Sequence, residues 1–371
     1  SAYEISLGLV GSEMCIRDRA GGAAMTASSV SAVAAPVRPP IDRPIRIGIY
    51  GTQHGHLHGK LRAMLHSTDY EVAGIYEPVP EAKERLQNNE RYANLLKGVS
   101  WVTEADLLES DSIDAIVIEC RPEEAIPWGN KVIDAGKHLH LEKPPGHTME
   151  PFKKLVESAR SKNLLLQMGY VYRFHEGIGK AIEAAHQGWL GDVYMMRGTI
   201  NTNLGESSRR SVARYKGGIM FELGGHQIDR AVELFGRPNH VKSWLRHDTS
   251  FQDSLADNTL AVLEYDNALA VITVCARMPN HTRHRSFEII GTNGQIMIQP
   301  VAPGTEMVVN MREDRGPYKK GWNTISLPRQ YRYIGDMTEF SRALRTGTAL
   351  QHDYEFEFTL HETILRASQM L

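Results

Sequence analysis

Two groups of ionisable residues, far apart in the chain, have the right types to move a proton on or off a hydroxyl. The first is Glu142-Lys143, which follows His138-Leu139-His140-Leu141 and precedes Pro144-Pro145-Gly146. The prolines cannot extend a paired strand, so the chain must turn there. One carboxylate and one ammonium are left at the mouth of a sheet, where open α/β folds bind their ligands. The second group is His226, with Glu222 four residues before it and Asp229 three after. Histidine titrates near neutral pH and suits the role of general base. If the segment is helical, Glu222 lies one turn away on the same face, placed to orient the imidazole. Gly224-Gly225 leave room for a ligand to approach the backbone. The plainer readings are a solvated strand-end lysine and a helix-face histidine packed against a sheet.

His54, His56 and His58 alternate and invite a metal reading. On a loop entering a helix they would not share one face, and no Cys or acid completes a set, so no metal is expected. Turn and helix-cap roles are expected instead.

These groups need elements to position them. IRIGIY (45–50) reads as a buried strand broken at Gly51, 55–66 as a helix, and 70–76 as a strand ending at Glu77. Strand, turn, helix and strand, with an acid about 26 residues after the turn glycine, is a dinucleotide-binding layout. The glycine fingerprint is altered. Gly51 keeps the turn position, Gln53 stands where a second glycine would, and Gly55 is one place early for the third. Gly51 and Gly55 still let the backbone approach a pyrophosphate, with Gln53 and His54 as added donors. Glu77 would accept both ribose hydroxyls and repel a 2′-phosphate, which favours NAD over NADP.

The alternation continues through 80–89 (helix), 99–102 (strand), 104–108 (helix), 113–119 (strand), 123–135 (helix), 138–141 (strand), 149–162 (helix) and 164–168 (strand). It predicts a doubly wound parallel sheet. After Gly169 come helices at 178–188 and 224–235 and strands at 193–202, 241–247, 258–265, 268–276, 285–290, 295–298 and 306–311, with helices at 331–344 and 354–371. Asp266-Asn267 and Thr292-Asn293-Gly294 are good hairpin turns, so this half reads as α+β with an antiparallel sheet.

Composition sets the class. The 371 residues carry 42% apolar and 23% charged residues and a net charge of -2, which points to no nucleic-acid or membrane-surface partner. Cys15, Cys120 and Cys275 have no metal or redox spacing. The expected organisation is a non-globular leader at 1–44, a nucleotide-binding domain at 45–168 and a second domain at 169–371. Within the leader, 10–19 (VGSEMCIRDR) resembles translated sequencing-adapter read-through. Residues 20–44 resemble the later part of a twin-arginine export signal, which implies an exported or periplasmic protein; a cytoplasmic one with a disordered Ala/Ser leader is the alternative.

IRIGIYG, AGIYE, DAIVIECRP, AGKHLHLEKPPG, MGYVYRF, GGIMFELGGHQID and DNTLAVLEYDNALAVI stand in the order and spacing of the Gfo/Idh/MocA family, the glucose-fructose oxidoreductase and inositol dehydrogenase group. The resemblance spans residue 45 to the C-terminus. It implies a Rossmann domain, a second domain with a large open sheet, and NAD(P)-dependent oxidation or reduction of sugars and polyols. It also implies a homo-oligomer, dimer or tetramer, packed through that sheet. Lys143 takes the place of the family's active-site lysine, Glu142 the acid before it, and His226 the catalytic histidine. Glu222 stands where the histidine's partner is usually Asp, and Asp229 matches the acid after it. Cys120, Arg121 and Pro122 fall along the cofactor at their strand end. After Arg121-Pro122 the family commonly has a His; here the segment is Glu123-Glu124-Ala125.

Bottom-up chemistry runs the same way. Alcohol oxidation sends a hydride to the nicotinamide and a proton to a base. His226 is that base, and Lys143 stabilises alkoxide character on the reacting oxygen. Tyr172 and Arg173 are candidates for binding sugar hydroxyls. The expected function is an NAD-dependent oxidoreductase acting on a sugar, polyol or sugar derivative. Two rivals are an NAD-retaining lyase, epimerase or glycosidase working by transient oxidation, and a non-catalytic NAD-sensing binding protein.

Overall fold

A computed structural model describes residues 40–329 and 331–371. The leader reading and the export signal therefore lie outside the described residues except at 40–44, where the non-globular reading fails: Ile41 N donates to the Leu344 carbonyl at 3.1 Å and Arg43 pairs with Asp114 at 2.6 Å. Its first sheet is built from β1 (Ile45–Tyr50), β2 (Tyr70–Tyr76), β3 (Ala115–Ile118), β4 (His138–Leu141) and β5 (Leu166–Met168), all parallel, in the order β2-β1-β3-β4-β5. Between them run α1 (Leu57–Leu65), α2 (Pro80–Gln87), α3 (Glu104–Leu108), α4 (Pro122–Asp134) and α5 (Met149–Ser161).

Strand residues alternate between two apolar layers. Ile45, Ile47, Ile49, Ala115 and Val117 face one, and Tyr50, Ile116 and Ile118 face the other. Both faces are buried, so β3 reads as an unbroken apolar run and β1 as one interrupted only by Arg46. The predicted strand at 99–102 is reduced to a bridge from Trp101 to Ile75 with two flanking hydrogen bonds, at 2.9 and 3.0 Å.

The second sheet has eight strands: β6 (Val193–Thr199), β7 (His240–Arg246), β8 (Asn258–Glu264), β9 (Leu269–Cys275), β10 (Ser286–Gly291), β11 (Gly294–Ile298), β12 (Glu306–Met311) and β13 (Gly321–Ser326). Their order is β13-β12-β11-β10-β6-β9-β8-β7, antiparallel except for β6 beside β9. One face, with Met196, Ile272, Phe287 and Ile296, is fully buried beneath helices. The opposite residues, among them Leu260, Val262, Val271 and Val308, stay half-buried, and Tyr194, Trp244 and Trp322 are exposed. The helices of this half are α6 (Glu176–His186), α7 (Glu206–Val212), α8 (Gly225–Phe235), α9 (Ile334–Thr346) and α10 (Tyr354–Ala367). The helix at 206–212 and the strand at 321–326 were not anticipated. Both are short and polar and carry little periodic signal.

One boundary needs correction. Helix α9 was assigned to the second domain, but its Met337, Phe340, Ala343 and Leu344 join Ile45, Ile47, Ile49, Leu57 and Leu61 in a single apolar cluster. The chain returns to cover the open face of the first sheet. Order along the chain does not say which sheet an amphipathic helix will cover.

Candidate active site

The site forms where the C-terminal ends of β1 to β4 meet the start of α8. At the end of β1, Gly51 has φ +87, and a Cβ there would lie 2.5 Å from the Trp128 ring and 3.0 Å from the Glu119 carbonyl. Only glycine fits that turn. The next amides fold back: Gln53 N donates to the Glu119 carbonyl at 2.9 Å. A Cβ on Gly55 would meet nothing within 4 Å, so protein packing does not demand glycine there and the loop stays open to a ligand. At the end of β2, the Glu77 carboxylate accepts the Thr52 hydroxyl at 2.7 Å and the Val79 amide at 2.9 Å. At the end of β3, Cys120 is buried, which pushes its thiol up. Arg121 donates to Glu124 at 2.8 Å, Gln53 reaches Glu124 at 3.4 Å, and Pro122 opens α4. These residues, from three strand ends, form one rim.

Beneath the rim lies a charged network that sequence reasoning missed. The Glu142 carboxylate takes His56 Nδ1 at 3.0 Å, the Lys143 amide at 3.1 Å and the Lys60 ammonium. His54 Nδ1 is 3.3 Å away. Lys60 also contacts Glu119 at 3.0 Å and His140 at 3.3 Å, and His140 reaches Asp336 of α9 at 3.1 Å. Lys60, Glu119, His140 and Asp336 are all 0% exposed. Burial raises the Glu142 carboxyl, but His54, His56 and Lys60 outweigh it and hold it well below the carboxylate range. Burial, with smaller contributions from His54 and Lys143, drives His56 down to about 3, against the opposing pull of Glu142. A signal for Lys60 existed: it falls on the apolar stripe of α1 between Leu57 and Leu61, where a charge needs a buried partner.

Two expectations change here. His56 precedes α1 but makes no side-chain cap hydrogen bond. An acid does complete the histidine set, because the ligand atoms of His54, His56 and Glu142 lie within 4.8 Å of one another. Glu142 is distant in sequence and reaches the loop only through the sheet. The cation seated on that carboxylate is the Lys60 ammonium, which disfavours a divalent ion at the same oxygen.

Lys143 and His226 come together from the two halves of the chain. Lys143 Nζ donates to the Glu222 carbonyl at 3.0 Å and stands 3.7 Å from its carboxylate. His226 is 3% exposed, and its ring lies 5.2 Å from Tyr172 and 5.9 Å from His56. Its Nδ1 is buried with no partner among the described residues. Burial, then Lys143 and His56, depress its pKa well below the ordinary value, so the ring is a neutral acceptor at neutral pH.

Glu222 does not reach this ring as expected. Met220–Gly224 forms a π-helical turn ahead of α8, and the wider turn takes Glu222 off the His226 face and onto Lys143. Arg173 is also corrected. It is 7% exposed and ion-paired to Asp229 at 2.7 Å and Glu357 at 2.6 Å, which commits four of its five N–H donors to buried carboxylates rather than to a sugar. Asp229 is consumed by Arg173 and Arg230.

Known proteins match along this architecture. A family model described as an oxidoreductase family with NAD-binding Rossmann fold matches residues 45–170, and one for the GFO/IDH/MocA C-terminal domain matches 178–297. The chain belongs to the Gfo/Idh/MocA oxidoreductase family. Its relatives include the dTDP-3,4-didehydro-2,6-dideoxy-alpha-D-glucose 3-reductase of Saccharopolyspora spinosa, 25% identical over 83% of this chain and 90% of that protein. Another is the myo-inositol 2-dehydrogenase of Thermotoga maritima, 21% identical over 73% of this chain and 80% of that one. Among solved structures, an oxidoreductase from Thermotoga maritima superposes with a TM-score of 0.73 at 20% identity, covering 88% and 96% of the two chains. A 3-ketoreductase from Actinomadura kijaniata, in complex with TDP-benzene and NADP, gives 0.68 at 21% identity over 88% and 96%. These likenesses establish the two-sheet fold of the family for this chain; the Lys60–Glu142 network is read from its own residues.

Proposed function

We propose that this Gfo/Idh/MocA protein is an NAD-dependent oxidoreductase that transfers a hydride to or from a hydroxyl-bearing carbon of a sugar, polyol or sugar derivative. The observation that carries the reading is His226: a buried, neutral imidazole with an unpartnered Nδ1, beside a buried lysine. His147, His352 and His361 also carry a buried ring nitrogen without a partner, so what sets His226 apart is its place near Lys143 at the strand ends. The glycine turn at Gly51, the open Gly55 and the Glu77 carboxylate fit a dinucleotide. When bound, the nicotinamide supplies the hydride acceptor or donor.

His226 takes the hydroxyl proton in oxidation and returns it in reduction. Lys143, held by the Glu222 carbonyl, donates to the reacting oxygen and offsets its developing negative charge. Glu222 holds Lys143 in place. Tyr172, its ring tilted 31° to that of His226, forms the wall against which the substrate lies. Glu77 favours NAD, because a 2′-phosphate would meet a carboxylate already fixed by Thr52 and Val79. The Saccharopolyspora and Thermotoga relatives, named for a dTDP-sugar and an inositol, support the substrate class. The half-buried outer face of the second sheet is the surface we assign to a homo-oligomer contact.

The test is Lys143→Met with NAD and a panel of sugars and polyols, followed by NADH absorbance. The expected result is a loss of turnover of about 100-fold or more, from removal of one oxyanion-stabilising donor, with NAD affinity retained. Turnover within a factor of three of the unmodified protein would remove the assignment.

A further inference from the structure

A narrow, partly open cleft lies beside the site, lined among others by Tyr172, His175, Pro303, Arg332 and Tyr333. Its inner wall is the site itself. Tyr172 lies 5.2 Å from the His226 ring, and Tyr333 lies 5.0 Å from the His56 ring. The lining is aromatic and proline-rich, a surface suited to a sugar ring.

The charge around this cleft is one-sided. The connection at 277–285 carries Arg277, Arg283 and Arg285 and no carboxylate. The connection after β13 carries Arg329 and Arg332 and no acid before Asp336. The segment at 299–304 joins the two. Val301 N donates to the Arg285 carbonyl at 2.9 Å, and the Val301 carbonyl accepts from Arg332 at 3.5 Å. A Cβ on Gly304 would lie 3.5 Å from the Arg329 side chain. None of the five arginines is ion-paired among the described residues, in a chain whose net charge is -2. Arg277 is held over the Phe251 ring and Arg285 donates to the Asn201 carbonyl at 3.1 Å. The acid on the cleft rim, Glu176, is already paired with Lys180 at 3.4 Å. The fields of Arg285 and Arg332 both reach Tyr172, and that of Arg285 reaches His226 as well.

We propose that this cleft is an anion subsite: the substrate carries a carboxylate or a phosphate that Arg332 and Arg285 hold, while its reacting hydroxyl faces His226. Guanidinium forks match both anions in a bidentate way and leave the choice between them to the substrate. An anion also supplies the counter-charge that Arg285 and Arg332 lack beside Tyr172, where neither has a carboxylate partner among the described residues. The inference rests on reading the cleft as the substrate's route to His226, but its test does not depend on turnover.

Binding to the NAD-loaded full chain is measured by calorimetry for matched sets: glucose, galactose and mannose, their uronates, and their 6-phosphates. The expected result is that at least one uronate or 6-phosphate binds tenfold or more tightly than its neutral parent. Raising NaCl from 50 to 500 mM should reduce the preference, since partly exposed charge pairs are screened. Arg332→Met combined with Arg285→Met should abolish the preference while NAD still binds, which shows that the variant folds. A uronate preference and a phosphate preference both support the subsite and separate its two sources. No anion preference in any set, including no binding at all, overturns the proposal, as does a preference that survives in the double variant. Failure of NAD itself to bind would instead strike the oxidoreductase reading.

Discussion

Replacing Lys60 with Met tests whether the network under the site is held by one buried ammonium. Lys60 is 0% exposed and faces Glu119 and Glu142, at 0% and 2%. Methionine preserves most of the side-chain volume, so the change isolates the charge. Removing one partner of a buried ion pair costs about 3–5 kcal/mol, because the remaining charge is left in a poor solvent. We expect the lower end, about 3 kcal/mol, since His54 and His56 both stay in contact with Glu142 when Lys60 is removed. For a chain of this size that corresponds to a fall in Tm of about 6 °C. The control is Lys154→Met, whose pair with Glu150 at 3.5 Å is 71% exposed on both sides and should cost less than about 0.5 kcal/mol.

The pH dependence supplies a second readout. Glu142 is depressed in the folded state, so its contribution is present above the ordinary carboxylate pKa and is lost as pH falls. Lys60 is raised, so its contribution is full below its ordinary value and is lost as pH climbs above it. The gap between wild type and variant should therefore be widest between about pH 5 and 10 and narrow below pH 5. Thermal denaturation followed by circular dichroism at pH 4, 7 and 9 decides it. A drop no larger than that of Lys154→Met, or a gap that does not change with pH, would refute the reasoning.

Three further outcomes are expected. His226 is held well below its ordinary pKa, so its base form persists as pH falls through 6.5; kcat/KM for oxidation should stay flat from pH 8 to about 6, and a His226→Asn variant should lose about 100- to 10,000-fold in kcat. A rate that falls about fourfold between pH 8 and 6, in step with an ordinary histidine of pKa about 6.5, would contradict the buried neutral ring. Glu77→Ser removes the carboxylate opposed to a 2′-phosphate, so the NAD-to-NADP ratio of dissociation constants, read by NADH and NADPH fluorescence, should shift by about tenfold toward NADP, or about 1.4 kcal/mol; an unchanged ratio would place the ribose elsewhere. Gly59→Ala gains helix propensity worth about 1 kcal/mol, yet its Cβ would fall 1.9 Å from the Tyr333 ring. The variant should lose stability by about 1–3 kcal/mol, and a second change, Tyr333→Ala, should recover it; a stabilised single variant would show that Tyr333 moves freely.

Much of this molecule was legible in residue order. The apolar runs at 45–50 and 115–118, separated by amphipathic helices, dictate a parallel sheet buried on both faces, and alternating strands with tight turns dictate the second sheet. The strand ends at Gly51, Glu77, Arg121 and Lys143 follow from that pattern, because a parallel sheet brings its C-terminal ends to one edge. The joining of Lys143 to His226 was legible only through the family resemblance.

Tertiary structure alone decided the rest. A one-residue widening of the helix at Met220–Gly224 sends Glu222 to Lys143 instead of His226, and periodicity assumes a regular turn where the chain makes a wider one. Arg173 lost its sugar role to Asp229 and Glu357, the latter 184 positions away. Lys60, Glu142, His140 and Asp336 meet from one loop-helix, one strand and a helix near the C-terminus, although no short window of sequence holds them together. Local sequence fixes the repeat of each element and which of its faces is apolar, since those depend on neighbours three or four residues away. Which charges share a buried pocket depends on the packing of whole elements, and there the cost of an unpaired charge selects the partners.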